Sequence, residues 1–511
     1  MSYYAVRRIG IFCVVLFGVV GGSNSRIYAQ DAANTYSALA PGDSAPPLPA
    51  EESGGNATPL SAEETVDPNG TISADSSTAF TVPDGPGVNA VADPEPLTPA
   101  EGIALRLPTD SPIPSIEIGA GDPGSRRVFH YGISLGLRGV YDDNINLTRT
   151  NKVSGYYFAI EPAIAVGLGD VLTRQGNYIR LDYAPSILFF ADDSSRDAVQ
   201  HVIRLESQYR MSRLTLQLTQ DVQLLKETNT SSTVGPGNIS NTVNLDVAGR
   251  VQVNVYRTHL GGAYDLTGKT FLSGALEYSI YDYGSLISSE RFIADLFINY
   301  RFSPKLVIGV GGSGGFTWVD SPNPDQTFEQ INVRTTYQAT GKISLYASGG
   351  VEFRQFDNNN NNNIFDSLDN IGDNSSRGTY VTPVYELGAT YQPFDGTTFT
   401  LRGNRRVQPS AALAGQDFVL SNIIIGVRQR LFQRVYIGVT GGYEHANYVS
   451  TISGVTANRV DNYYTIEPSV DFQLTKYCSF GAYYIHRQND SSSNSFGFSD
   501  NQVGVRTKIT F

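Results

Sequence analysis

The chain has 511 residues, 17% of them charged, with 51 Gly, 30 Tyr, two Cys and a formal net charge of −12. So few cysteines exclude a disulfide scaffold, and no Cys/His cluster is present to hold zinc. No segment after the first 30 residues reaches the roughly 18 consecutive apolar residues that a transmembrane helix needs.

Residues 1–29 read as a secretory signal, with Arg7 and Arg8 as the positive end, Ile9 to Val20 as a short apolar core and Ile27-Tyr28-Ala29 as a cleavage site. Cys13 lies inside the apolar run without the small residues of a lipid-attachment site, so a single thiol, Cys478, is expected in the mature chain. Residues 30–125 hold 15 of the 25 prolines, and residues 31–125 carry 15 Asp or Glu against the single Arg106. Such a segment buries too little apolar area to offset its chain entropy, and a disordered, acidic arm is expected. Ile103 to Ile118 is more apolar, which leaves open whether the arm only tethers or docks on the C-terminal part of the chain. With the acidity confined to the arm, residues 126–511 are close to neutral and carry no basic run that would suggest nucleic acid.

From Val128 onward the pattern has a period of two. In residues 463–474, Tyr464, Ile466, Pro468, Val470, Phe472 and Leu474 fall on one face, and Thr465, Glu467, Ser469, Asp471 and Gln473 on the other. Residues 291–302, 177–191 and 500–511 repeat this division, and the last ends on Phe511. Short turns at 211–213, 267–269, 303–305, 340–342, 394–396, 432–433 and 475–476, with a longer one near 169–176, alternate with polar connections. This alternation makes nine hairpins, hence 18 antiparallel strands, predicted at 129–141, 156–168, 177–191, 199–210, 214–226, 251–266, 270–283, 291–302, 306–319, 327–339, 343–356, 379–393, 397–410, 417–431, 434–449, 461–474, 477–489 and 500–511. Residues 226–270 are the least regular, and 16 or 20 strands stay open. The polar faces carry charge at a density no dry core accepts. The fold class expected is therefore an all-β transmembrane antiparallel barrel, apolar face to lipid and polar face inward.

The inward face is expected to carry Arg180, Arg204, Arg210, Arg301, Arg334, Arg354 and Arg506 with Asp182, Glu206, Asp295, Glu352, Glu467 and Asp471, so both signs line the wall. Such pairs tie neighbouring strands, or they filter a polar or anionic solute. Arg402, Arg406, Arg428 and Arg430, on adjacent strands, form a candidate basic stripe. Aromatic belts are expected from Tyr141, Tyr157, Tyr283, Trp318, Tyr448 and Tyr463 at one rim and Tyr209, Tyr300, Tyr337, Tyr391, Phe432 and Phe511 at the other. In-strand glycines such as Gly312 and Gly314 would leave room inside. The loop with Asn358 to Asn363 is the candidate constriction, or else it projects outward.

Tyr141-Asp142-Asp143-Asn144-Ile145 after the first strand, followed by hairpins to a terminal Phe, resembles the β-barrel porin family BBP2 over about residues 128–511. The resemblance implies a passive outer-membrane conduit, often linked to exopolysaccharide export, working at times with a periplasmic polysaccharide-export protein. The terminal aromatic is similar to the signal read by the β-barrel assembly machinery. The acidic arm is no part of that pattern. Two functions compete: a conduit for polysaccharide export, and a general or anion-leaning diffusion porin for small polar solutes. No cofactor, metal or catalytic group is expected. His445 beside Glu444 is the one rim pair of catalytic type, and adjacent strand residues point to opposite faces. Solute, pore diameter and oligomeric state are not legible in the residues.

Overall fold

The computed structural model describes residues 128–226, 245–247, 251–357, 379–452 and 454–511. The expected signal, the acidic arm and the Asn358–Asn363 loop lie outside these residues.

Eighteen strands run in chain order: β1 (Phe129–Asp142), β2 (Gly155–Gly169), β3 (Tyr178–Phe190), β4 (Ala198–Arg210), β5 (Leu214–Leu225), β6 (Val253–Asp265), β7 (Thr270–Tyr283), β8 (Ser289–Ser303), β9 (Leu306–Val319), β10 (Gln326–Thr340), β11 (Ile343–Phe356), β12 (Tyr380–Phe394), β13 (Thr397–Pro409), β14 (Gln416–Leu431), β15 (Val435–Ser450), β16 (Val460–Thr475), β17 (Cys478–Ser491) and β18 (Phe498–Thr510). Each end lies within two residues of its predicted position. One 3-10 turn, Ser194–Arg196, interrupts the β3–β4 connection.

Every strand pairs antiparallel with its chain neighbours, and β1 also pairs with β18, from Ser134↔Thr510 to Asp142↔Gln502. The sheet is therefore closed. Closure matters because an unpaired backbone group in hydrocarbon costs several kcal/mol, and a cylinder has no edge strand. The ladder runs to the last residue, whose N–H donates to the Ile133 carbonyl at 2.8 Å.

The long-loop end of this seam is fastened by the motif that marks the first loop. Asn144 Nδ2 donates to the carbonyls of Thr148 at 2.7 Å and Ser499 at 2.9 Å. Asn501 donates through its N–H and Nδ2 to the two oxygens of Asp143, at 2.7 and 2.6 Å. Gln502 Nε2 donates to Asp142 Oδ2 at 2.9 Å. Asp142-Asp143-Asn144 thus joins the start of the barrel to its end.

The apolar rows face outward, as the period of two requires. Ile331 is 67% exposed on β10, while Asn332 and Arg334 between and beside such residues are buried. The inner-rim belt lies outward as expected, with Tyr209, Tyr300, Tyr337 and Tyr391 all exposed. The other belt is corrected. Tyr141 and Trp318 face out, but Tyr157, Tyr448 and Tyr463 are buried on the inner face at 1%, 3% and 1% exposure. Their lipid-side seats are taken by adjacent residues such as Tyr156 and Tyr464, since one step along a strand exchanges faces.

Gly312 and Gly314 fall on the outward row of β9, Gly312 beside the exposed Leu296 and Ile331, so the room expected inside at these positions is corrected; the inward glycines Gly309 and Gly311 do not leave open space either. A Cβ on Gly309 would sit 2.3 Å from Asn299 Oδ1, and one on Gly311 would sit 2.6 Å from the Phe297 ring. Their bare backbone lets larger neighbouring side chains lie flat on the wall.

Ile331→Arg, placing a charge on the exposed mid-strand row of β10, is expected to cost about 2–4 kcal/mol of folding free energy in vesicles. Denaturant titration of the vesicle-inserted protein reads this, and an unchanged midpoint would mean that this row does not face hydrocarbon.

Candidate pore lining

On β3 to β6 the inward charges form a checkerboard. Cross-strand partners place Asp182 beside Arg204, Arg204 beside Asp221, and Asp221 beside Arg257. The next rung places Arg180 beside Glu206. Signs alternate across the four strands on this rung and along β3 and β4, so these neighbours attract; such pairs contribute roughly 0.2–1 kcal/mol each in a sheet. The Arg180 guanidinium grips Asp182 through two hydrogen bonds of 2.8 Å. Arg204 lies 3.7 Å from Asp221, and Arg257 lies 3.9 Å from Glu277.

Matched pairs continue around the wall. Arg506 binds Asp471 through two hydrogen bonds, at 2.8 and 2.6 Å, with Glu467 further along the same strand face. Arg301 Nη2 donates to Asp265 at 2.5 Å near the short-turn end. Arg334 of β10 reaches across β9 to donate to Ser273 and Asn299 and lies 3.8 Å over the Phe297 ring; Asp295 shares the inner face of β8 with Phe297 and Asn299. Arg354 is completely buried, bonded to Glu352 at 2.8 Å and to Gln326 at 2.5 Å.

Arg402, Arg406, Arg428 and Arg430 share the inner face of β13 and β14. The register sets Arg402 opposite Ile424, Arg406 opposite Leu420 and Arg428 opposite Thr398, so the four occupy rungs from the short-turn end upward. At a rise near 3.4 Å per residue the ladder from 430 to 420 covers about 34 Å, close to a bilayer core. Arg402 is exposed on this inward face, and Arg428 stacks on the Tyr436 ring at 4.8 Å. Two carboxylates flank the ladder on a single rung, Glu386 of β12 beside Asn404 and Glu444 of β15 beside Asn422. Glu444 is buried inward while His445 bonds the outward Asn462 at 3.0 Å, so the rim His/Glu pair is divided by the wall.

Sequence reasoning missed several inner-face groups. Arg138 with Glu161 at 3.0 Å and Arg487 with Asp500 at 2.5 Å both lie on predicted inward rows, and the period of two was sufficient to find them. The docking of Leu245, Asp246 and Val247 carried no such signal. These residues belong to the β5–β6 connection, about half-way round the ring from where they rest. Leu245 packs among Leu147, Ile424, Tyr463 and Phe498 on the inner wall. Asp246 accepts hydrogen bonds from Ser410 Oγ at 2.6 Å, Ala411 N at 2.5 Å, Ala412 N at 3.2 Å and Tyr448 Oη at 3.0 Å. Arg459 donates to the carbonyls of Leu245 and Asp246 and binds Asp461. The described tip, residues 245–247, therefore lies against the inner wall at the long-loop end.

The end of the β13–β14 hairpin also turns inward. Asp417 accepts from Gln326 Nε2 at 2.9 Å and lies 3.8 Å from Arg354, while Gly415 N donates to Asn323 at 2.6 Å. The β13–β14 connection is thus held against the β7–β11 side.

The family described as Putative beta-barrel porin 2 matches residues 382–511. The resemblance to BBP2 therefore holds over the last seven strands. A closed barrel with an apolar outer face, matched by a porin family, places the chain in the bacterial outer membrane, in contact with its lipid. It is a porin-type barrel and not an enzyme. No curated protein is similar to it in sequence. Among solved structures, it is similar to OpdK of Pseudomonas aeruginosa, crystallised with vanillate, at 11% identity and a TM-score of 0.38, covering 75% of this chain and 99% of that one. OccK2 (OpdF) of Pseudomonas aeruginosa matches at 10% identity and 0.38, covering 75% and 98%. OccAB3 of Acinetobacter baumannii matches at 9% and 0.37, covering 75% and 99%.

Two outcomes are expected of this lining. A double-mutant cycle of Arg204→Gln and Asp221→Asn should give a coupling of about 0.5–3 kcal/mol in denaturant unfolding, and additive effects would remove the checkerboard as a structural element. Asp246→Ala, which deletes four acceptor contacts, should raise single-channel conductance and current noise; unchanged traces would show that the tip does not limit flow.

Proposed function

We propose that the barrel is a passive, water-filled channel for small polar solutes, with a preference for anions. The observation that carries this reading is electrostatic asymmetry. The β3–β6 wall is neutralised pair by pair, whereas β13 and β14 present four arginines flanked by the two carboxylates Glu386 and Glu444. An excess of positive charge along one side of a narrow lumen raises the local concentration of anions. Arg402, exposed inward near mid-height, is the group best placed to meet a passing solute.

A conduit for polysaccharide export draws less support. Tyr157, Tyr448, Tyr463 and Tyr483 face inward but are covered by their own neighbours, so they offer no open aromatic track for sugar rings. The solute reading requires no periplasmic polysaccharide-export partner. It keeps the terminal Phe511, 68% exposed, as the signal to the β-barrel assembly machinery. Residues 1–29 as signal and 30–125 as acidic arm remain part of the proposal.

The test is reversal potential in planar bilayers under a salt gradient, for the native protein and for Arg402→Gln, Arg406→Gln, Arg428→Gln and Arg430→Gln combined. The native channel is expected to favour anions, and the combined variant to move toward cations. A native channel without anion preference, or an unmoved potential, would make the ladder purely structural.

A further inference from the structure

The short-turn end of the barrel carries a rim of uncompensated positive charge. Six of its eight turns each present one exposed cation: Arg213 before β5, Lys269 before β7, Lys305 before β9, Lys342 before β11, Arg434 before β15 and Lys476 before β17. None of the six forms an ion pair among the described residues. Lys305 and Lys342 donate to neutral carbonyls, those of Ala339 at 3.1 Å and Pro393 at 2.8 Å, so their charge stays uncompensated. Acids at this end are few. Asp170 accepts from the N–H groups of Thr173, Gln175 and Gly176, Asp265 is bound by Arg301, and Asp395 lies exposed in the turn before β13. The long-loop end has the opposite balance, with exposed Asp192, Asp193, Asp197, Asp320 and Asp325 against Arg149 and Lys152.

The chain itself holds the complementary charge, and it enters the barrel beside this rim. β1 starts at the short-turn end, where Phe129 pairs with Leu168. Residues 84–122, just before it, contain seven carboxylates against the single Arg106, so this stretch cannot neutralise itself. A chain of about 40 residues spans up to about 130 Å at ~3.3 Å per residue. Eighteen strands spaced ~4.8 Å and tilted ~40° make a ring only about 36 Å across, so every turn is within reach. One exposed ion pair contributes little. Several acting together on a tethered segment do more, because the tether holds the carboxylates near the rim at an effective concentration on the order of millimolar.

We propose that residues 84–122 dock on the short-turn rim, their carboxylates pairing with Arg213, Lys269, Lys305, Lys342, Arg434 and Lys476. The short turns of such barrels face the periplasm, so the contact lies at the periplasmic mouth. It rests on the acidic arm remaining attached to the barrel, and not on which solute the channel passes. Pairs of this kind weaken as salt shortens the screening length, from about 8 Å at 0.15 M to about 3 Å at 1 M.

The experiment is zero-length carbodiimide coupling, which joins an amine to a carboxylate in contact with it, read by mass spectrometry of the linked peptides. It uses the full chain, its intact mass showing residues 84–122 present, in neutral detergent micelles and in vesicles containing phosphatidylglycerol. At low salt, links are expected from carboxylates of residues 84–122 to Lys269, Lys305, Lys342 or Lys476, within one chain in a mixture of 15N-labelled and unlabelled protein. They should be lost in 1 M sodium chloride. Arg213→Glu with Arg434→Glu, in exposed turns, leaves the four lysines in place and should lower the yield at least threefold. Absence of such links at low salt, links only between different chains, or yields unmoved by salt or by the two reversals would overturn the proposal. So would links that form in micelles but not in the vesicles, which would give the rim to lipid headgroups.

Discussion

A backbone crossing hydrocarbon must pair all of its own polar groups, and for a sheet that leaves only closure. In this chain closure rests on one pairing that local sequence cannot supply, β1 with β18. The other 17 pairings join consecutive strands through hairpins or longer loops, while this one joins residues more than 350 positions apart. The side chains gathered there reflect that burden: Asn144, Asn501 and Gln502 supply donors, and Asp142 and Asp143 accept them. A short acidic motif that looks like a loop in the sequence is a fastening in the fold.

Strand positions were legible because lipid and lumen impose opposite demands on alternate residues. Tyr464 to Leu474 shows this without exception, and Leu306–Val319 begins and ends where its pattern does. Short turns with Gly, Pro or Lys fixed the other ends. Face assignment was less secure where two aromatics are adjacent. Tyr463 and Tyr464 both suit a belt by residue type, and the parity of Thr465 and Glu467, which places the first inward, is what the belt assignment passed over. Gly312 and Gly314 of β9 were assigned to the wrong side, because a run of glycines carries no apolar and polar alternation from which its face can be read.

What the sequence could not show is contact across the barrel. Arg180 and Asp182 are two residues apart on one face, so their pairing can be inferred locally. Arg204 and Asp221 require the β4–β5 register, which the short turn between them nearly determines. Asp246 with Ser410 and Tyr448 requires the closed ring itself, since these residues are more than 160 positions apart. Length and composition single out the Asn358–Asn363 loop, which lies outside the described residues, whereas the inner-wall contacts of Leu245 and Asp246 carry no such signal in the sequence. The basic ladder was visible as four arginines on adjacent strands, but Glu386 and Glu444, which temper it, became its neighbours only through the registers of β12 and β15.

A single layer of backbone separates two media in this barrel, and every face assignment rests on that separation. Nitroxide labels placed at successive positions from 464 to 474 of β16, in vesicles, test this most directly by comparing relaxation by oxygen, which partitions into lipid, with relaxation by a water-soluble nickel complex. Oxygen should dominate at the even positions and nickel at the odd ones, in step with the exposed and buried residues of the strand. Equal access along the strand, or alternation in the opposite phase, would contradict the barrel as described.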